Sequence, residues 1–87
     1  MKVAVWDTYV TKTSGQTMHF DIIAPSEIKD EETIYTFGKD YLQSKNQAGQ
    51  PLSAKECSFC HIEQASPEMV DSIQQKGYYI IEMQGCE

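Results

Sequence analysis

Two of the three cysteines and one of the two histidines fall inside Glu56-Cys57-Ser58-Phe59-Cys60-His61-Ile62-Glu63. Thiolate sulfur and imidazole nitrogen are ligands that Zn²⁺ prefers, so Cys57, Cys60 and His61 form a candidate metal site if the chain turns between the cysteines. A closed site needs a fourth ligand, and Cys86, His19 or a carboxylate such as Glu63 are the candidates. The same residues admit thiol–disulfide exchange and, through the C-x-x-C-H pattern, covalent haem. Three features weigh against these chemistries. Ser58-Phe59 holds no glycine to turn the chain, the next helix starts too far beyond Cys60 for its dipole to sharpen a thiolate, and haem attachment belongs to exported helical chains. If the segment is an extended strand, Cys57 and Cys60 point to opposite faces and their sulfurs diverge. Cysteine is then used as a small buried hydrophobe, and this plain reading is the favoured one.

A second set is His19, Asp21 and Asp7, in which a carboxylate could orient an imidazole for acid/base work. The bland alternative is that His19 and Asp21 form the solvated face of a hairpin. Trp6 belongs with them on one register of that hairpin and, with Tyr9 and Tyr78 or Tyr79, could form an aromatic recognition patch, although core packing is the commoner use of such rings.

The elements that must position these groups follow from pattern. Lys2 to Val10 reads as a first strand, Thr11 to Gln16 as a hairpin loop around Thr-Ser-Gly, and Thr17 to Ala24 as a second, antiparallel strand. Along the second strand Met18, Phe20 and Ile22 make a core side, opposite His19 and Asp21. Setting Val5 across from Ile22 buries Val3, Val5 and Tyr9, while a slip of one residue buries Trp6 instead. Asp30 to Lys45 predicts a helix with Ile34, Phe37, Gly38, Tyr41 and Leu42 at helical spacing and acidic residues at its start. Lys55 to Glu63 predicts a third strand. Ser66-Pro67-Glu68 opens a second helix that Gly77 closes, and Tyr78 to Met83 is apolar enough for a central strand. The expected architecture is an α+β two-layer sandwich in ββαβαβ order, with a four-stranded mixed sheet and both helices on one face.

With 87 residues, 40% of them hydrophobic, the chain is one domain, 1–87, with a single modest core. The formal charge of −6 with only seven Lys and Arg argues against nucleic acid and anionic membrane as partners. A protein, a cation or a small molecule fits better. Nothing approaches a membrane-spanning run, and Met1 to Asp7 reaches a carboxylate before a signal segment could develop, so the expectation is a cytoplasmic protein with reduced thiols.

The opening Met1-Lys2-Val3-Ala4-Val5-Trp6-Asp7-Thr8-Tyr9-Val10, the Met18-His19-Phe20-Asp21 strand, the Glu56-to-Glu63 segment and the closing Gly77-Tyr78-Tyr79-Ile80-Ile81-Glu82-Met83 together resemble a small bacterial family, domain of unknown function number two thousand and twenty-four. The resemblance spans nearly the whole chain and implies a stand-alone bacterial protein of compact α+β fold. It implies no activity and carries no site residue.

The sequence therefore points to a non-enzymatic binding or protein-interaction module, with His19, Asp21, Trp6 and Asp7 as candidate binding residues and no catalytic residue or required cofactor. The alternative is a zinc-binding or thiol-active protein using Cys57, Cys60 and His61.

Overall fold

The computed structural model describes residues 1–86. Strand β1 (Lys2–Thr11) and β2 (Thr17–Pro25) form a hairpin, followed by α1 (Glu31–Ser44), β3 (Cys57–Gln64), α2 (Pro67–Lys76) and β4 (Tyr79–Gln84). The sheet order is β3-β1-β2-β4, so the hairpin is the centre of the sheet and both later strands are edges. The α+β class, the ββαβαβ order and the four strands agree with the sequence reading.

Three finer expectations are corrected. Every adjacent pair of strands is antiparallel, so the sheet is not mixed. Strands β2 and β3 do run the same way, but β1 lies between them. The two helices lie on opposite faces: α1 covers Ala4, Trp6, Val10, Phe20 and Ile22, whereas Met69 and Ile73 of α2 pack with Val3, Val5, Ile23 and Ile81. The handedness preference for crossovers governs parallel strands. It bears on α1, which joins β2 to β3, and is silent on α2, which joins antiparallel strands at opposite edges. What sets the place of α2 is the second apolar stripe on the hairpin, which α1 leaves bare. Finally, β4 is an edge strand; it is apolar because Ile80 faces the α1 core while Tyr79 and Ile81 face the α2 core.

The hairpin adopts the slipped register, with Trp6 opposite Ile22 and Val5 opposite Ile23. Trp6 is thereby buried with Phe20 and Ile22, and Asp7 joins His19 and Asp21. Both faces of β1 and β2 carry buried apolar residues, which is why alternation alone does not fix which set meets α1.

Local signals set the helix ends. The Asp30 side chain accepts from the Glu32 N–H at the start of α1, and the Ser66 hydroxyl accepts from the Met69 N–H at the start of α2. Gly77 ends α2 with φ of +94°, where a side chain would be strained, and its N–H reaches the Ile73 carbonyl. Gly38 lets α1 sit close on the sheet: a Cβ there would lie 2.6 Å from Leu52 Cδ1 and 2.9 Å from Ile22 Cδ1.

Candidate functional site

The α2 face of the hairpin changes character along its length. From one end it presents Val3, Val5 and Ile23, packed under Met69. Beyond them come two cross-strand pairs, Asp7 opposite Asp21 and Tyr9 opposite His19. Like charges directly opposite in an antiparallel pair repel, so the Asp7/Asp21 pair is costly unless something neutralises it.

Part of the neutralisation is visible. His19 Nε2 lies 2.7 Å from Asp7 Oδ1, a diagonal contact across the strands. Tyr9 stacks on the His19 ring with centroids 4.1 Å apart and planes within 10° of parallel, which holds the imidazole over the carboxylates. The Asp7 and His19 side chains keep 35% and 22% of their exposure, but Asp21 keeps only 8%. Burial pushes the Asp21 carboxyl up to about 6, reinforced by a proton-dependent hydrogen bond to Asp7 and by the Asp7 charge, and opposed by His19 and His61. One ligand atom from each of Asp7, His19 and Asp21 lies within 4.8 Å of the others. Half-open to solvent, this is a cluster of negative charge that can hold either a shared proton or a cation.

Of the candidate binding residues, the fold brings Asp7, His19 and Asp21 together and takes Trp6 away. Trp6 sits on the opposite face, its ring edge against Phe59 at 5.6 Å between centroids, and its buried indole N–H has no acceptor among the described residues. The register turns the Trp6 ring toward the α1 face, apart from the other three residues. Tyr9, expected in the core on the other register, is instead exposed beside His19.

The cysteine cluster does not converge on one point. Cys57 is buried on the α1 face, where the Thr8 hydroxyl donates to its sulfur at 3.4 Å. Cys60 is exposed, and its sulfur lies 3.1 Å from His61 Nδ1, while His61 Nε2 lies 2.7 Å from Glu63 Oε1. The register of β3 on β1 shifts between Val5, opposite His61, and Trp6, opposite Phe59, so Cys60 is the extra residue of a β-bulge. Adjacent strand residues ordinarily face opposite ways; the bulge undoes that and sets the Cys60 sulfur beside the His61 ring. The regular alternation expected for β3 is corrected accordingly, because Phe59 and Ile62 share the α1 side with Cys57. Cys86, a suggested fourth ligand, is buried near β2 with its thiol directed to the His19 carbonyl.

The family described as Domain of unknown function (DUF2024) matches residues 1–83. The chain belongs to that family. Protein NE1680 from Nitrosomonas europaea, a structural-genomics target solved by NMR, is 38% identical with a TM-score of 0.85, and the match covers 100% of both chains. No protein of curated function matches the chain. The family description carries no activity, so function has to be read from the residues themselves.

One feature escaped the sequence reading, and a second was legible only as a set of residues without its pairing. The bulge that pairs Cys60 with His61 leaves no trace in residue type. The pairing of Asp7 with Asp21 hung on a register of one residue, although the charge alternation of His19 and Asp21 already marked one strand's polar stretch.

Proposed function

We propose that this family member is a binding module whose site is the Asp7–His19–Asp21 cluster and whose ligand is a divalent first-row transition ion. The observation that carries the reading is the convergence of two carboxylates and an imidazole, with one carboxyl nine-tenths buried against the other. Oxygen and imidazole ligands suit Zn²⁺, Mn²⁺ and Fe²⁺, and a cation here would relieve the repulsion between the two acids and replace the proton they share. Three ligands leave further coordination positions for water or a bound molecule. The zinc suggested by the sequence is thus better accommodated on the hairpin than at Cys57, Cys60 and His61, whose donor atoms are split between the two faces.

Because ligands must shed protons, apparent affinity should weaken as pH falls through about 6, where Asp21 takes up its proton. Thermal unfolding of untagged protein with Zn²⁺ or Mn²⁺ tests the reading. At ten times the dissociation constant the ion should add about 1.4 kcal/mol, a rise of roughly 5–10 °C for a domain of this size. Asp7→Asn and His19→Ala should abolish the rise, and Cys60→Ser should leave it intact. Stabilisation that survives Asp7→Asn but is lost in Cys60→Ser would relocate the metal to β3, and no stabilisation by either ion at millimolar concentration would end the proposal.

A further inference from the structure

Strand β3 is one edge of the sheet, exposed from Ser58 through Ile62. Its bulge produces a three-residue relay: Cys60 Sγ to His61 Nδ1 at 3.1 Å, and His61 Nε2 to Glu63 Oε1 at 2.7 Å. In the tautomer with the proton on Nε2, the ring donates to Glu63 and its Nδ1 accepts from the thiol. This is the order of groups that activates a cysteine: a nucleophile against a base, and the base oriented by a carboxylate. We propose that Cys60 is a nucleophilic thiol that reacts with disulfides of small, neutral or cationic thiols, with His61 taking its proton and Glu63 positioning His61.

The step balances without another reactant. His61 removes the Cys60 proton, the thiolate attacks one sulfur of the disulfide, and the S–S bond breaks as the protein–small-thiol disulfide forms. The departing thiolate receives the proton back from the imidazolium, whose charge Glu63 has meanwhile stabilised.

Disulfide exchange suits this position because it needs a clear approach along the S–S axis and no donor pocket for a developing oxyanion. The edge strand supplies the access. Charge selects the partner: Glu63 is part of the relay, and Asp7 on the neighbouring β1 and Asp21 on β2 beyond it stand on the same face, close enough for Asp21 to feel the His61 charge. An anionic disulfide is disfavoured there. The other two thiols do not compete or resolve the product. Cys57 is buried on the opposite face, where burial pushes its thiol up despite the Thr8 hydroxyl, and Cys86 is buried beside the His19 carbonyl. The mixed disulfide at Cys60 is therefore the end state, a reversible modification on the edge strand.

The test uses the full chain with chelator present, so that its outcome is independent of any metal on the hairpin. Cystamine, a cationic disulfide, is added at pH 7, and the rate and site of modification are read by intact-protein and peptide mass spectrometry. Wild type should give a single adduct at Cys60, formed faster than on free cysteine, and its preference for cystamine over an anionic aliphatic disulfide should exceed the preference that free cysteine shows. His61→Asn should slow the reaction roughly a hundredfold, the lower end of what a positioned base contributes. Glu63→Gln should slow it less and shift the pH–rate profile, and Cys57→Ser should change nothing. All three relay positions lie on the surface edge, and Cys57→Ser reports any effect of disturbing the fold. A Cys60 rate equal to that of free cysteine, a rate and pH profile unchanged in His61→Asn, or first reaction at Cys57 or Cys86 would each overturn the proposal.

Discussion

On the α1 face the hairpin buries Ala4, Trp6, Thr8 and Val10 from β1 and Met18, Phe20, Ile22 and Ala24 from β2, the whole length of both strands. On the α2 face the same strands bury Val3, Val5 and Ile23 and then turn to Asp7, Tyr9, His19 and Asp21. Helix lengths account for part of the contrast. At about 1.5 Å per residue the ten residues of α2 span ~15 Å, against ~33 Å for the ten extended residues of β1. A sheet face that its helix covers only in part cannot stay apolar to the end. The uncovered part is where acids and an imidazole can converge, half-shielded yet within reach of water. Among the described residues the Asp7–His19–Asp21 cluster lies on that face and the Cys60–His61–Glu63 contacts on the β3 edge, while the other face is given over mainly to packing.

The comparison breaks most directly under truncation. Phe20→Ala, at a fully buried position on the α1 face, should cost ~3–5 kcal/mol in denaturant unfolding, and Met69→Ala on the smaller α2 core should cost roughly 2 kcal/mol. Equal losses would mean that the two faces contribute alike.

Next in size is the effect of Asp21 on the metal-free protein. Its folded carboxyl titrates at about 6 against an ordinary 3.8, so the protonated form is the one the fold favours. That contribution is complete below about 3.8 and is lost as pH rises through about 6. The melting temperature should therefore fall across this window, and Asp21→Asn should flatten the profile and raise the melting temperature at pH 7. A variant less stable than wild type at pH 7 would show that the carboxylate pair is not a burden on the fold.

The smallest effect is expected on the rim of the α1 face. Lys45 Nζ lies 2.8 Å from Glu82 Oε2, and both side chains are partly exposed. With Tyr41, which also donates to Glu82, this pair holds the Glu82 carboxyl below its ordinary range. Lys45→Ala should cost less than about 1 kcal/mol, and less still in high salt. A larger loss would mean that the rim, as well as the core, anchors β4.

What could be read in advance depended on the range over which each signal acts. Asp30, Ser66, Pro67 and Gly77 mark the helix ends because a cap or a left-handed residue acts within one turn of its own position. The hairpin was equally legible from Thr-Ser-Gly between two β-rich runs. The face of Trp6 was not, because β1 and β2 carry apolar residues on both faces and either register satisfies alternation. The Cys60–His61 contact was hidden for a related reason: a bulge is a mismatch between two strands, and neither strand's residues announce it.

The amino-acid order by itself determined the six elements, their ends, the α+β class and the residue types available for chemistry, since those follow from backbone preferences and periodicity a few residues long. Tertiary structure decided which of those residues meet. A one-residue choice of strand register put Asp7 on Asp21 and buried Trp6, and a bulge turned Cys60 toward His61. The second apolar stripe drew α2 to the face opposite α1. Each of these is settled by burying apolar area between separate elements, a free energy that belongs to the assembled sheet and to no single segment of it.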